Sequence, residues 1–328
     1  MVTKVLDHPE IWRIQVDLPQ NPLKYLNCYV LPHEENPLII DTGFNRPECW
    51  EALCNGLELL HVDPNRASLF LTHLHGDHTG LANRLDALGC TIYMGRTDHD
   101  YLGQILGGEV WPKLESRFRQ EGFPEQDIAA QRTANQARLY AADCLFPAIP
   151  VADGDRLSFA GMSFTAIATP GHTKGHMCLY LENEQIMFTG DHVLFDITPN
   201  ITCWLNMTDA LADYLDSLQK IKRYPVKLAM PAHRESSMPL ETRVEQIEAH
   251  HEVRLNNVIN ILRNEPGLNA FKVARRLPWS MRGKAWEDFP VTAKWFAMGE
   301  TLSHIDHLLL QNRIKIQKLN GQNRYYTC

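Results

Sequence analysis

No Cys-x-x-Cys pair occurs in the 328 residues, and the eight cysteines are scattered at positions 28, 49, 54, 90, 144, 178, 203 and 328. That spacing argues against a zinc ribbon or a disulfide framework and suits reduced thiols, mostly buried as small apolar groups. Long apolar runs are missing too. The opening stretch, "MVTKVLDHPEIWRIQVDLPQ", holds no segment of signal-peptide length, and no later stretch could span a bilayer. The expectation is a cytoplasmic protein with no membrane partner. Internal repeats and low-complexity tracts are absent, which argues against solenoid architectures.

What is present describes a globular chain: 44% hydrophobic and 22% charged residues, long enough for two domains. The charge is unevenly divided. Residues 250–328 carry 12 Lys+Arg against 6 Asp+Glu, a net of +6, so the overall −7 leaves −13 on residues 1–249. An acidic body with a basic tail results.

Histidine supplies 15 of the 328 residues, yet "FLTHLHGDHTG" (70–80) packs His73, His75, Asp77 and His78 into six positions. Three His at fixed places in one window arise by chance about once in ten thousand. The cluster therefore reads as a metal site. Its donors are imidazole and carboxylate without thiolate, a set that suits Zn, Fe or Mn in a site able to hold water. Two ions, one on two His and one on Asp77 with His78, would each be short of ligands.

Several β-type runs end in groups that can complete them. "NPLIIDTG" ends at Asp41, "MSFTAIATPGH" at His172, "EQIMFTGDH" at Asp191 and His192, and "VKLAMPAH" at His233. Strands that end together set their loops on one rim, where distant ligands meet. Between them "PECWEALCNGLELL", "LANRLDAL" and "DALADYLDSLQKI" repeat apolar residues at helical spacing, which points to a layered α/β arrangement. Residues 94–148 read as a helical insertion broken at "GFPE", a lid or substrate wall unless it packs on the scaffold. Beyond Arg234, "LETRVEQIEAHHEVRLNNVINILRN" reads as a connecting helix. "NAFKVARRL", "KWFAMGETLSHIDHLLLQN" and a hairpin around Asn320-Gly321 follow, the layout of a winged helix.

In this order "THLHGDH", "TPGHTKGH", "FTGDH" and "PAH" resemble the successive metal motifs of the metallo-β-lactamase-fold hydrolases, over roughly residues 10–235. The resemblance implies a four-layer αββα sandwich. It assigns His73, His75 and His172 to one metal, and Asp77, His78 and His233 to the other, with Asp191 bridging. Asp41, in "LIIDTG", becomes a support of the ligands rather than a ligand. Two-zinc β-lactamases of this fold have Cys in place of Asp191, and the flavin-linked di-iron oxidoreductases have Glu in place of His75. Glyoxalase II and ribonuclease Z share the full His/Asp set. Lys174 stands where many relatives have Pro.

The expected architecture is thus a catalytic domain over 1–235 with its insertion at 94–148, a linker helix over 236–249, and a winged-helix-like α+β domain over 250–328. The expected activity is binuclear metal-dependent hydrolysis by a metal-bridging hydroxide, with two divalent ions, zinc first and Fe or Mn as alternatives. Asp77 would orient the hydroxide and Asp191 would fix the metal pair. A small-molecule ester or thioester is the expected substrate; an RNA-cleaving nuclease and a ligand-sensing DNA-binding regulator are the competing readings. His176 and His192 are expected to support the ligands, and Lys174, Phe195 and Trp204 to touch substrate. His250, His251, His304 and His307 are expected on solvated helix faces. The tail domain, whose candidate recognition helix carries Glu300 and Asp306, is expected to wall the cleft or make a homodimer contact rather than bind nucleic acid.

Overall fold

A computed structural model describes residues 1–280 and 283–328; of the basic "MRGK" stretch, Met281 and Arg282 lie outside the described residues. Seven strands form the first sheet in chain order: β1 (Val2–Leu6), β2 (Ile11–Asp17), β3 (Tyr25–Leu31), β4 (Leu38–Ile40), β5 (Ser68–Leu71), β6 (Thr91–Gly95) and β7 (Ile149–Val151). The first four pair antiparallel and the last four parallel. Helices α1 (Pro47–Leu59), α2 (Gly76–Thr79) and α3 (Ala82–Asp86) make its early crossovers. The second sheet runs in the order β12 (Leu228–Pro231), β11 (Ile186–Gly190), β10 (Met177–Leu181), β9 (Met162–Ala168), β8 (Arg156–Phe159).

Strand periodicity explains the layers. Along β3, Tyr29 and Leu31 enter the core between the sheets, while Cys28 and Val30 face α1. Along β10, Leu179 and Leu181 enter the same core, and Cys178 and Tyr180 face outward. The outward side is covered by α8 (Ala210–Ile221), capped by Asp209 accepting from the Ala212 N–H, and by the start of α9 (Leu240–Asn264). Helix, sheet, sheet and helix are stacked in that order. Fully buried Phe70, Phe164 and Phe188 fill the central layer, each worth about 1.5–3 kcal/mol of burial.

The insertion begins after Met94, which belongs to β6, and comprises α4 (Arg96–Leu106), α5 (Val110–Gln120), α6 (Glu125–Ala134) and α7 (Gln136–Leu139). It is not a free lid. Phe118, Phe123 and Ile128 share one core with Leu255, Val258, Trp295 and Leu302 of the C-terminal third. Glu121 accepts from the Tyr325 hydroxyl, and Arg117 is paired with Asp306.

The C-terminal third continues α9 through α10 (Ala270–Ala274) and α11 (Val291–Leu310) into the hairpin β13 (Ile314–Leu319) and β14 (Gln322–Thr327). Asn320 and Gly321 turn the hairpin with φ of 51° and 77°, the left-handed values an Asn-Gly turn favours. Helix α9 runs unbroken from the expected linker into the expected tail domain.

The histidine expectation here needs correction. His251, His304 and His307 are buried and His250 half-buried, because α11 lies between the sandwich and the rest of the tail rather than on the surface. Glu300 and Asp306 are correspondingly drawn into pairs, with Arg254 and Arg117.

Candidate metal centre

Strands β4, β5, β9, β11 and β12 end along one edge of the sandwich, and backbone bonds sew the two sheets together there. The Met177 N–H donates to the Thr72 carbonyl at 2.8 Å, and the Asn27 N–H to the Ala232 carbonyl at 2.7 Å. Asp41, Thr72, Asp191 and His233 each stand one or two residues beyond a strand end. His73 and His75 follow Thr72 in a loop, whereas Asp77 and His78 ride on the single turn of α2.

Seven side chains converge in two adjacent groups: His73, His75, His172 and Asp191, then Asp77, His78 and His233. His75 Nδ1 lies 2.9 Å from His73 Nε2 and 3.0 Å from His172 Nε2. His233 Nε2 is 3.4 Å from Asp77 Oδ2. Asp191 faces both ways. Its Oδ2 is 3.5 Å from His172, while its Oδ1 is 3.5 Å from His233 and 3.7 Å from His78.

The partners behind the rings dictate where the ring protons sit. His172 Nδ1 donates to the Asn200 carbonyl, His233 Nδ1 to the Tyr25 carbonyl, and His78 Nδ1 to the Asp41 carboxylate. The Thr72 hydroxyl gives its proton to Asp41 at 2.8 Å and so accepts from His73 Nδ1 at 3.1 Å. In all four rings Nε2 is left aimed inward. Buried His78 Nε2, His233 Nε2 and Asp191 Oδ1 have no hydrogen-bond partner. Inward ring nitrogens and carboxylates with nothing to bind fit divalent cations.

Charge follows the same division. Burial, helped by neighbouring imidazoles, lowers the pKa values of His73 and His75, His75 to about 3, and burial also lowers that of His172. Each shift favours the neutral imidazole, the form that binds metal. In the second group burial opposes charge, but Asp41, Asp191 and Asp77 raise His78, and Asp191 and Asp77 raise His233. Those imidazoles hold Asp77 down at about 2 against its own burial.

Three further residues organise the loops. Asp41 holds a left-handed φ of 60° and accepts from the Thr72 N–H, the Thr72 hydroxyl and His78. His176 accepts from the Asp191 N–H at 3.2 Å, and its other ring nitrogen contacts Thr169 Oγ1 at 2.8 Å. It needs Gly190 beneath it: at φ +51° an added Cβ would sit 2.7 Å from His176 Nε2. Asp98 was not singled out from the sequence. From α4 it accepts from the Leu74 N–H, the Thr173 hydroxyl and the Gly175 N–H, tying the two His-bearing loops together. Nothing in "GRTDHDYL" distinguishes it from Asp100; only the strand-end loops it meets do so.

Other expected residues separate. His192 is fully buried, with its ring between His176 and Tyr214, and neither ring nitrogen has a hydrogen-bond partner. Phe195 is 3% exposed within the outer core, against which Trp204 also packs. Lys174 donates to the Asn206 carbonyl at 2.5 Å. Trp204 donates to the His172 carbonyl at 2.7 Å, and its ring centroid is 5.6 Å from that of His75. Of the cysteines, five are buried and all are free.

The geometry has counterparts. A metallo-beta-lactamase family protein from Thermus thermophilus superposes with a TM-score of 0.83, covering 97% of this chain and 98% of that one at 24% identity. A beta-lactamase domain protein from Burkholderia ambifaria gives 0.85, covering 100% and 94% at 22% identity. The shared fold therefore extends through the C-terminal third. An atrochrysone carboxyl ACP thioesterase of Aspergillus novofumigatus is 30% identical over 69% of this chain and 54% of its own length. A lactamase-like protein of Penicillium aethiopicum is 28% identical over 78% of this chain and 66% of its own. The chain thus spans just over half to about two thirds of these curated relatives. The family model of the metallo-beta-lactamase superfamily matches residues 22–233, from the loop before β3 to the last converging histidine, and the chain belongs to that superfamily.

Proposed function

We propose that the protein is a binuclear metal-dependent hydrolase of small-molecule thioesters or esters. The observation that carries this is the division of seven donors into two groups that share Asp191, with Nδ1 turned to outer partners and Nε2 inward. His73, His75 and His172 would hold one ion, Asp77, His78 and His233 the other, and Asp191 would reach both. Zinc is the first choice, with Fe or Mn open to the same donors. Bound there, divalent cations lower the pKa of water towards neutrality and polarise an acyl or phosphoryl oxygen.

The chain's own residues supply the rest. Asp77, 3.4 Å from His233 Nε2, would orient the attacking water. Asp191 sets the spacing of the two groups. Trp204, beside His75, walls the acyl side of the cleft. Residues 1–235 form the catalytic domain in this reading, and residues 250–328 a winged-helix-like domain with a structural role.

Relatives named as thioesterases favour a thioester over a phosphodiester. Burial of α11 argues against the nuclease and DNA-binding readings, since the candidate recognition helix has almost no face left for a groove. A panel of p-nitrophenyl esters, acyl thioesters, a phosphodiester and labelled RNA, run alongside metal analysis by plasma emission, tests the proposal. Thioester cleavage that tracks bound metal is expected. RNA or phosphodiester cleavage without thioester turnover would reject the substrate class.

A further inference from the structure

Helix α11 belongs to the C-terminal third, yet it reaches the first group of imidazoles through one loop. Residues 200–203 lie along it and are pinned at several points. The Cys203 N–H donates to the Gly299 carbonyl at 3.2 Å, Ser303 Oγ donates to the Ile201 carbonyl at 2.5 Å, and Asn200 Nδ2 donates to Glu300 Oε2 at 2.9 Å. The approach is so close that a Cβ on Gly299 would fall 2.1 Å from Thr202 Oγ1. The carbonyl of the same Asn200 accepts from His172 Nδ1 at 2.9 Å.

We infer that Glu300 and Asn200 are positioning residues for the metal centre: the tail helix, through this pair, sets the ring orientation and tautomer of His172. The chemistry is that of an outer partner to an imidazole ligand. A carbonyl fixed in place keeps the proton on Nδ1 and the Nε2 lone pair on the site. Glu300 suits the task because it is itself held. It is 8% exposed, its Oε1 lies 3.4 Å from Arg254 Nε on α9, and His250 and Arg254 keep it ionised at a pKa of about 2 despite burial. Its second oxygen is therefore a fixed acceptor for the Asn200 amide. The inference rests on the metal reading above and adds a role for a part of the chain outside the matched superfamily region.

The test is zinc competition against a chromophoric chelator with the full chain, comparing Asn200→Ala, Glu300→Ala and Glu300→Gln. Both Asn200→Ala and Glu300→Ala keep the backbone carbonyl that meets His172 but cut its tie to α11, so they are expected to weaken the three-imidazole group several-fold, up to about 10-fold, the lower end for an outer partner lost outright. Glu300→Gln keeps an acceptor for Asn200 and should stay within a few-fold of wild type. The Asp77, His78 and His233 group should bind unchanged in all three. Glu300→Ala leaves Arg254 without its partner and risks the fold; Asn200 is only half-buried, so Asn200→Ala decides the matter alone. A folded Asn200→Ala chain with both zinc affinities at wild-type values would overturn the inference. A wild-type chain that takes up no zinc would defeat the hydrolase reading instead. The ¹⁵N shifts of the His172 ring in metal-free protein then decide this one: mixed tautomers in Asn200→Ala support it, and the wild-type pattern overturns it.

Discussion

Asp191 and Asp98 show how two carboxylates on one rim come to different work. Asp191 lies among imidazoles that pull its pKa well below the ordinary value, against its own burial, so it is an anion at the centre of the donors. Asp191→Ala removes a carboxylate whose two oxygens face the two groups. Bound metal and hydrolysis should each fall by more than about 100-fold, beyond the loss seen for outer partners. Unchanged metal content by plasma emission would remove Asp191 from the site. Asp98 meets three neutral donors, and burial raises it to about 6 although those donors favour the ionised form. A carboxyl whose folded pKa exceeds its unfolded value of 3.8 keeps its proton longer in the folded state. Its contribution to stability is therefore full below about pH 4 and declines as pH rises through 6, by about 3 kcal/mol at most. Urea midpoints of the metal-free chain between pH 4 and 7 should flatten in Asp98→Asn relative to wild type. The same variant should lose metal about 10–100-fold, since both His-bearing loops hang on this carboxylate. A wild-type pH profile in Asp98→Asn would show that the group titrates normally.

At the scale of elements, the insertion and the tail stabilise one another. Phe118 is fully buried on α5, with its ring 4.1 Å from that of Trp295 on α11. Phe118→Ala should cost about 3–5 kcal/mol, the usual range for a large aromatic removed from a core. Removing residues 96–148 should abolish soluble expression or leave an expanded chain, because α10 and α11 lose their cover. Metal would be lost as well, since Asp98 leaves with α4. A trimmed chain that keeps native circular dichroism and full metal would restore the lid reading of this segment.

Considered whole, the molecule commits three tail arginines to partners, while Lys315 and Lys318 on β13 stay exposed. Arg275 and Arg276 pair with Glu287 and Glu265, and Arg254 lies over the Trp279 ring at 4.1 Å. With α11 enclosed, the exposed lysines of β13 have, among the described residues, no open helix beside them to enter a groove. Gel shifts with the full chain should show no tight complex with duplex DNA, and salt titration no steep dependence. Tight binding that falls sharply between about 50 and 200 mM salt would return the tail to nucleic-acid recognition.

What the sequence could determine by itself was whatever depends on neighbours in the chain. The β-type runs ending in His or Asp, the helix over 240–264 and the Asn-Gly hairpin are local patterns, and the described elements coincide with them. The four His/Asp motifs are equally local, so the superfamily was legible before any fold was known. The tertiary structure alone decided which partners meet across long separations. Asp98 reaches Gly175, 77 positions on, and Asn200 reaches Glu300, 100 positions on. It also decided burial in the tail. Helix α11 carries polar residues at helical spacing and so looks half-solvated as a sequence. His304 and Glu300 are nevertheless enclosed, because Arg254 on α9 and the Asn200 amide meet the Glu300 carboxylate, and the Glu300 backbone carbonyl accepts from His304, the partners such groups need to leave water.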